Sequence, residues 1–426
     1  MATTFTTLLR DEDLKKALQD MKIIEPTPIQ ERALPLLEGK HDVICQAQTG
    51  SGKTLAFAIP IAEKINPTEG LQALILVPTR ELCEQVTEEF KKIVKYKKIN
   101  ILEVYGGVSI DNQIRKLPKA HVVVATPGRA CDLMQRRELK LDQIKTMVLD
   151  EADRMLDMGF IKDVEFIIRA TPNKRQTLMF SATLPKGIQH ITRRHMRDPK
   201  VLKTKEQVDK QLLKQYYYDV PIRDRFHLLV HLLQKEQAPY AIVFCGTRRA
   251  VDLITYNLNQ NGIDAKAIHG GLTQAKRKQV MDSFHGKKTQ ILVASDVAAR
   301  GLDIKLLTHV YNFDVPTTPE EYTHRIGRTA RAGEEGIAIT LVSEKDYDNF
   351  RRVLQDRTLK IEKLPTPSVP LTKFTPRVQS YNERPRRFQG RNQGPRRQGK
   401  RGQGSRGQGS RGQGGRYAPR QRSRRR

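Results

Sequence analysis

Short runs rich in valine and isoleucine recur in two series along this chain and alternate with segments of helical spacing. The runs occupy residues 42–45, 73–77, 121–125, 146–150 and 177–181, and then 241–245, 265–269, 291–295, 309–313 and 336–342. Such runs are typical of strands that are buried on both faces of a parallel sheet. Their alternation with helices predicts an α/β fold that contains two successive parallel sheets.

A polar, charged stretch at residues 198–211 separates the two series. We therefore predict an N-terminal domain at residues 1–204 and a C-terminal domain at residues 211–364, joined by a short linker. The length of 426 residues agrees with two domains, because one hydrophobic core rarely serves more than about 250–300 residues.

The chain after Leu364 has no apolar periodicity, and residues 401–415 repeat the pentads RGQGS, RGQGS and RGQGG. A segment of this composition has nothing to bury in a core. We therefore predict a disordered tail at residues 365–426.

Positive charge is concentrated in this tail. Residues 372–426 hold 18 lysines and arginines against one acid, which gives +17 of the chain's +29. That concentration predicts a polyanionic partner. The repeats, with the sparse aromatic residues Tyr381, Phe388 and Tyr417, resemble RGG-type tails, and this resemblance implies that the tail holds RNA by charge and stacking. A solubilising spacer is the alternative interpretation of the tail.

No apolar run approaches the roughly 18 residues of a membrane span. The N-terminus lacks the apolar stretch of a signal peptide. The four cysteines form no CxxC pair, which argues against a zinc site and a disulfide framework. We therefore expect a soluble, cytoplasmic, monomeric protein that does not associate with membranes.

The segment AQTGSGKT, residues 47–54, directly follows the first apolar run. A glycine-rich loop of this kind turns backbone N–H groups toward phosphates at a helix N-terminus. Lys53 can then reach the β and γ phosphates, and the Thr54 hydroxyl can ligate Mg²⁺. Because Ala47 stands where the general pattern has glycine, a chance glycine-rich turn is the alternative at this point.

A second motif, VLDEAD, places Asp150 and Glu151 at the end of an apolar run. Acids at the carboxyl end of a parallel strand face the crevice where open α/β sheets bind ligands. Asp150 is suited to hold Mg²⁺ through water, and Glu151 is suited to orient and deprotonate the attacking water in phosphoryl transfer. A cluster that caps the next helix is the alternative.

With these motifs the chain resembles the DEAD-box helicases of superfamily 2, over roughly Phe5 to Leu364. The family's motifs occur in the family's order: PTPIQ (26–30), AQTGSGKT (47–54), PTREL (78–82), Gly106-Gly107, TPGR (126–129), DEAD (150–153), SAT (181–183), IVFCGT (242–247), QAKR (274–277), SDVAARGLD (295–303) and HRIGRTAR (324–331). The resemblance implies two tandem RecA-like domains and an ATPase that acts on RNA with ATP and Mg²⁺.

The resemblance assigns further residues to the ATP site. Gln30 resembles the glutamine that reads the adenine edge, for which an amide offers both a donor and an acceptor, and Phe5 resembles the aromatic that packs on this element. Arg328 and Arg331 are three residues apart, so they share a helix face and can approach the γ-phosphate as arginine fingers. The other nucleotide-binding residues implied are Gln48, Thr49, Gly50, Ser51, Gly52, Gly301 and Asp303.

An RNA path along both domains is also implied. Its residues in the N-terminal domain are Arg80, Gly106, Gly107, Thr126 and Arg129. Its residues in the C-terminal domain are Thr247, Arg248, Gly270, Gln274, Arg277 and Asp296. Such groups suit sugar and phosphate oxygens rather than base edges, and an acid suits a 2′-hydroxyl, so we expect backbone-directed binding to RNA. An ordinary loop role is the alternative for each of them.

Four residues are implied to couple ATP hydrolysis to strand separation. Ser181 and Thr183 would do so through hydrogen bonds to Asp153, and His324 through contact with the motifs of the other domain. We do not expect His324 to ligate a metal, because no second His or Cys stands at ligand spacing.

Some residues depart from the family pattern. Lys22 stands where glycine is usual before PTPIQ, and Ile23 replaces the usual aromatic. Ser295 replaces a threonine, and Ala330 replaces a glycine within HRIGRTAR. The expected reaction does not change, because the arginines of that motif are retained.

We therefore predict an ATP-dependent RNA helicase that closes its domains on ATP and RNA, separates short duplexes locally, and remodels RNA or RNA-protein complexes. A processive translocase is one alternative, which the DEAD sequence and the glutamine motif disfavour. A non-processive RNA clamp or RNA chaperone that acts mainly through the tail is another. Intact Lys53, Glu151, Arg328 and Arg331 disfavour that alternative.

Overall fold

The computed structural model describes residues 4–39, 41–47, 51–203, 212–235, 240–299, 307–330 and 335–376. These residues form two seven-stranded sheets in which every pairing is parallel. The prediction of two tandem RecA-like α/β domains is confirmed. No helix within the described ranges has the length and apolar character that crossing a membrane requires.

The N-terminal domain carries seven strands and ten α-helices in its described residues. In chain order they are α1 (Phe5–Leu8), α2 (Glu12–Asp20), α3 (Pro28–Glu38), β1 (Val43–Gln46), α4 (Lys53–Lys64), β2 (Ala73–Leu76), α5 (Arg80–Ile93), β3 (Ile101–Val104), α6 (Ile110–Lys116), β4 (Val122–Ala125), α7 (Pro127–Gln135), β5 (Thr146–Leu149), α8 (Ala152–Asp157), α9 (Ile161–Arg169), β6 (Gln176–Ser181), α10 (Lys186–His195) and β7 (Lys200–Lys203). The strand order in the sheet is β3-β4-β2-β5-β6-β1-β7.

The C-terminal domain repeats this plan with seven strands and six α-helices in its described residues. They are β8 (Leu213–Asp219), α11 (Arg225–Lys235), β9 (Ala241–Phe244), α12 (Arg248–Gln260), β10 (Ala265–Ile268), α13 (Gln274–His285), β11 (Ile291–Ala294), α14 (Asp296–Ala299), β12 (His309–Asn312), α15 (Pro319–Ile326), β13 (Gly336–Val342), α16 (Tyr347–Val353) and β14 (Ile361–Lys363). The strand order is β10-β11-β9-β12-β13-β8-β14.

Helices cover both faces of each sheet, so each domain has two apolar clusters. Successive side chains of a strand point to opposite faces. In β4, Val122 and Val124 accordingly lie in one cluster and Val123 in the other. Burial on both faces explains why the central strands consist almost entirely of apolar residues.

The packed part of the chain extends past Leu364, where the tail was predicted to begin. Leu364 and Val369 pack against one apolar cluster of the C-terminal domain. The ring of Phe374 lies 4.9 Å from that of Phe226 on α11. We call residues 366–375 the strap.

Two asparagine amides at the end of α12 hold the main chain of the strap. Asn257 Nδ2 donates to Thr375 O at 3.1 Å, and Asn257 Oδ1 accepts from Thr375 N at 2.6 Å. Asn261 repeats both bonds with Lys373, at 2.8 and 3.2 Å. The repeat is possible because four helical residues rise by about 6 Å, close to the roughly 6.6 Å that two extended residues span. His227 Nδ1 adds a bond by accepting from Thr372 N at 3.0 Å.

We predict that the C-terminal domain needs the strap for its stability. A chain that ends at Leu364 should be less stable to urea unfolding, by about 2–4 kcal/mol, than a chain that ends at Pro376. The reason is that Asn257 and His227 lose hydrogen-bond partners and Phe226 loses an aromatic contact. Circular dichroism would follow the unfolding, and the full chain should match the chain that ends at Pro376. Equal unfolding free energies for the two truncated chains would contradict the prediction.

Candidate active site and RNA-contacting loops

The N-terminal sheet brings the predicted ATP motifs together at the carboxyl ends of neighbouring strands. Strands β5, β6 and β1 are adjacent, and the segments 150–153 and 181–183, with Ala47 and residues 51–54, lie at their carboxyl ends. In open α/β sheets this edge is where ligands bind. These three strands form the ATP half of the sheet.

The predicted RNA motifs stand on the other half of the same edge. Strands β3, β4 and β2 are adjacent, and they are followed by Gly106-Gly107, Thr126 and Arg80. The C-terminal sheet has a similar half, in which β10, β11 and β9 are adjacent. Gly270, Asp296 and Thr247 follow those strands.

Gln30 links helix α3 to the glycine-rich loop. Its Oε1 accepts from Thr27 N at 2.8 Å, and its Nε2 donates to Gly52 O at 2.9 Å. Thr27 Oγ1 donates to Ser51 O at 2.8 Å. A Cβ on Gly52, which has a φ of +89°, would lie 2.5 Å from Gln30 Nε2, so a side chain does not fit there. The buried Gln30 therefore holds this loop in place, a role that the motif did not predict, and its reading of adenine stays a prediction.

Lys53 and Asp150 occupy the buried part of the ATP half. Lys53 begins α4, and its Nζ donates to Ala47 O at 3.0 Å. Burial raises the pKa of Asp150 to about 6, against the lowering effect of the Lys53 charge. A carboxylate that is so poorly solvated gains from a cation beside it. Asp150 and the hydroxyl of Thr54 thus fit Mg²⁺, which binds oxygen ligands and takes some of them from phosphates.

Glu151 is held in an unusual backbone conformation. Its φ is +52°, in the left-handed region that non-glycine residues rarely occupy. Its Oε2 accepts from Arg154 Nη1 at 3.0 Å, and both side chains are buried. Strain of this kind clusters at functional sites. Arg154 fixes the direction of the carboxylate, and the DEAD motif gave no signal for it because it lies just outside the motif.

Asp153 connects the DEAD segment to residues 181–183. Asp153 Oδ2 accepts from Thr183 N at 2.8 Å and from Thr183 Oγ1 at 3.0 Å. Asp153 N donates to Ser181 Oγ at 3.1 Å, and Ser181 Oγ donates to Thr183 O at 2.6 Å. The bonds expected between these three residues are present, and their coupling role stays a prediction.

Four predicted RNA residues meet at the RNA half of the N-terminal sheet. A Cβ on Gly106 would lie 3.5 Å from Arg80 Nη2 and 4.0 Å from Arg129 Nη2. Gly107 has a φ of +90°, and a Cβ there would overlap Arg80 Nη1. The two guanidiniums therefore lie against a glycine surface. Thr126 is the N-cap of α7, lies three residues before Arg129 in the chain, and is buried.

In the C-terminal domain, Arg248 lies against the Gly270-Gly271 turn, where a Cβ on Gly270 would be 3.2 Å from Arg248 Nη2. Thr247 caps α12, because its Oγ1 accepts from Ala250 N at 3.1 Å. A hydrogen bond holds the loop before α12, because Gly246 N donates to Asp314 Oδ2 at 2.9 Å.

Asp314 is a site residue that the motifs did not reveal. Burial pushes the pKa of Asp314 upward, but the charge of Arg225 and the bond from Gly246 bring it below its usual value. Arg225 Nη2 donates to Asp314 Oδ1 at 3.0 Å, and Arg225 Nη1 donates to Asp346 Oδ2 at 2.8 Å. The charged form of Asp314 is therefore favoured beneath the loop.

Asp296, predicted to accept from an RNA 2′-hydroxyl, is paired with Arg325. Arg325 Nε donates to Asp296 Oδ1 at 2.6 Å, and Arg325 Nη2 donates to Asp296 Oδ2 at 2.7 Å. This two-point pair directs the carboxylate. His324 and Arg328 line the same small cavity as these two residues. Helix α15 ends at Ile326, so the expectation that Arg328 stands on a helix face is wrong.

Gln274 and Arg277 reach the N-terminal domain. Arg277 Nε lies 2.8 Å from Glu81 Oε1, and Gln274 Nε2 donates to Glu84 Oε1 at 3.4 Å. Both acids are on α5, which begins with Arg80. The sequence predicted RNA contacts for Gln274 and Arg277, and it gave no sign that they also join the two domains.

Six predicted site residues lie outside the described residues. They are Gln48, Thr49, Gly50, Gly301, Asp303 and Arg331.

Two of the residues that depart from the family pattern adopt a left-handed backbone conformation, since φ is +57° at Lys22 and +54° at Ala330. These are the positions where the family pattern has glycine, the residue that adopts this conformation most readily.

Two parallel α/β domains, a phosphate-binding loop and a strand-end acid pair define a P-loop-type ATPase with tandem RecA-like domains. The chain belongs to the DEAD-box family of ATP-dependent RNA helicases. The DEAD/DEAH box helicase domain matches residues 27–191, and the helicase conserved C-terminal domain matches residues 224–333.

Curated relatives are similar in sequence along most of this chain. The DEAD-box ATP-dependent RNA helicase CshA of Geobacillus kaustophilus is 46% identical over 370 residues, which cover 86% of this chain and 79% of that protein. The ATP-dependent RNA helicase CshA of Listeria monocytogenes is 48% identical over 362 residues, or 84% of this chain and 69% of that protein.

Among solved structures, this chain is similar to complexes of S. cerevisiae Dbp5. A Dbp5 variant bound to RNA and ADP BeF3 has a TM-score of 0.78 and 32% identity, with 86% of this chain and 96% of that chain covered. The same variant bound to Nup159, Gle1, IP6 and ADP has a TM-score of 0.60 and 31% identity, with 84% and 96% covered. The TM-score is the higher one for the complex with RNA and ADP BeF3.

We predict that Gly107→Ala weakens the response to RNA, because the new Cβ displaces the Arg80 guanidinium. The RNA concentration that half-saturates ATPase activity should rise by about tenfold, the effect of losing roughly one charged hydrogen bond. Gly159→Ala is the matched control, since Gly159 has a φ of +80° and no atom of the described residues beyond its chain neighbours lies within 4 Å of the place that a Cβ would take. An equal effect in both variants would show that backbone strain, and not Arg80, is responsible.

Proposed function

We propose that this chain uses ATP hydrolysis to separate short RNA duplexes locally. The observation that carries the proposal is the division of one sheet edge into an ATP half and an RNA half, which the pairing of β2 with β5 joins. Within the ATP half, Asp153 bonds to Ser181 and Thr183. A change at the phosphate is thereby linked to the backbone of the neighbouring strand.

In the proposed reaction, the glycine-rich loop and Lys53 hold the phosphates of ATP. Glu151, directed by Arg154, orients the attacking water and takes its proton, while Arg328 and Arg331 stabilise negative charge on the transferred group. Thr54 and Asp150 hold Mg²⁺, which when bound neutralises phosphate charge. Phosphoryl transfer of this type depends mainly on positioning and electrostatics.

Domain closure supplies the force on RNA in this proposal. The pairs Arg277–Glu81 and Gln274–Glu84 join α13 to α5 beside Arg80. RNA-contacting groups of both domains thereby approach each other. A strand gripped by its backbone on both domains can be bent away from its complement, and hydrolysis then allows release. The likeness to a Dbp5 variant bound to RNA and ADP BeF3 supports this step.

The proposal has several finer parts. RNA is bound through sugar and phosphate without sequence preference, and the basic residues 377–426 hold further RNA by charge. RNA-protein complexes are additional substrates. The domain limits of 1–204 and 211–364, a monomeric state and a cytoplasmic location also belong to the proposal.

A series of RNA duplexes of increasing length tests the proposed function. We expect unwinding that requires ATP and slows steeply as the duplex lengthens, because a single closure disrupts only a few base pairs. Strand separation would be measured by gel shift with and without ATP. Unwinding independent of length would indicate a processive translocase, and unwinding independent of ATP would indicate an RNA chaperone.

We predict that Glu151→Gln abolishes ATP turnover and leaves ATP binding nearly intact. The amide keeps the shape of the side chain but cannot accept a proton from water, and loss of such a group lowers rates by about 10² to 10⁴-fold. Phosphate release and binding of a fluorescent nucleotide would be measured together. Glu138→Gln, at an exposed position before β5, is the control and should behave as wild type. Near-normal turnover in Glu151→Gln would rule out the assigned role.

A further inference from the structure

The turn between β10 and α13 is organised around a buried histidine. His269 is 3% exposed, whereas Gly270 and Gly271, which follow it, are exposed. His269 Nδ1 accepts from Gly271 N at 3.1 Å, and His269 O accepts from Leu272 N at 3.1 Å. The imidazole and the backbone of one residue thus close the same turn.

Asp252 on α12 sets the orientation of this ring. His269 Nε2 lies 2.9 Å from Asp252 Oδ1. Because a backbone N–H can only donate, Nδ1 must be the acceptor, and Nε2 then carries the proton toward the carboxylate. A neutral imidazole in this tautomer satisfies both partners.

The turn determines where several predicted RNA contacts lie. The Arg248 side chain packs over the turn, with Cδ 3.7 Å from a Cβ placed on Gly271. The turn also leads through Thr273, which caps α13, to Gln274 and Arg277 on the first turns of that helix. A shift of the turn would therefore move contacts from two helices together.

We propose that His269 is a positioning residue for RNA binding by the C-terminal domain. Directed by Asp252, it holds the Gly270-Gly271 turn in the shape that receives the RNA backbone, without touching RNA or ATP itself. This inference rests on the proposed function, because it assumes that the turn contacts RNA.

An ordinary buried histidine would behave differently when replaced. Loss of a packing residue lowers the stability of the whole domain, so it affects RNA affinity and turnover alike. Loss of a positioning residue weakens RNA binding and preserves the rate once RNA is saturating. Leucine removes both hydrogen-bonding groups of His269, whereas glutamine can supply an acceptor for Gly271 and a donor for Asp252.

The test compares His269→Leu, His269→Gln and wild type in RNA-stimulated ATPase assays, with melting temperatures measured in parallel. In His269→Leu the RNA concentration for half-maximal activity should rise about tenfold, as expected when a backbone donor loses its acceptor. The rate at saturating RNA and the KM for ATP should stay close to wild type. His269→Gln should restore most of the RNA affinity. His285→Leu, at the exposed end of α13, is the matched control and should have no effect.

Asp252→Ala serves as a second variant if His269→Leu does not fold, because the Asp252 side chain is partly exposed and its loss keeps the imidazole but removes the partner that orients it. It should also raise the half-saturating RNA concentration. Unchanged RNA affinity in folded His269→Leu or Asp252→Ala, or a glutamine variant as weak as the leucine variant, would overturn the inference. Failure of the proposed function is distinguishable, because wild type itself would then show no stimulation by RNA.

Discussion

All strands of each sheet run in the same direction, and the site depends on this constraint. In a parallel sheet every strand ends at the same edge, so loops far apart in sequence are forced together. The order β5-β6-β1 gathers the phosphate loop, the DEAD segment and residues 181–183, and the order β3-β4-β2 gathers the predicted RNA groups. Since β2 pairs with β5, one hydrogen-bonded ladder joins the two halves. The sheet itself therefore connects the two halves.

Ion pairs with buried guanidinium groups stand at or beneath predicted site loops of both domains. Glu151 is paired with Arg154, Asp314 with Arg225, and Asp296 with Arg325. Buried pairs contribute little to net stability, because desolvation offsets the attraction between the charges. Their effect here is directional: each guanidinium fixes a carboxylate at or under a loop. The charges that can act on phosphate or RNA are thereby kept in one orientation before any ligand arrives.

The sequence identified the strands that are buried on both faces, since their residues are almost all apolar. It did not identify β3, β7, β8 and β14, which lie at or next to sheet edges and carry exposed or partly exposed residues. Motif residues could be found from local spacing alone. Their supporting partners, Asp314 and His269, could not, because tertiary contacts define them. Lys22 and Ala330 are instructive, since the expectation of glycine located a backbone conformation that the actual residues also adopt.

The strap sets the place from which the basic tail departs. Helix α12 starts at Arg248, a predicted RNA contact, and ends beside Asn261, which binds the strap at Lys373. Twelve residue steps of 1.5 Å separate these ends by about 18 Å. If the tail binds RNA as proposed, a tether attached at that distance would raise the effective concentration of RNA flanking the bound strand rather than of the strand itself. The tail's contribution would then lie in how often one RNA is revisited between cycles of hydrolysis.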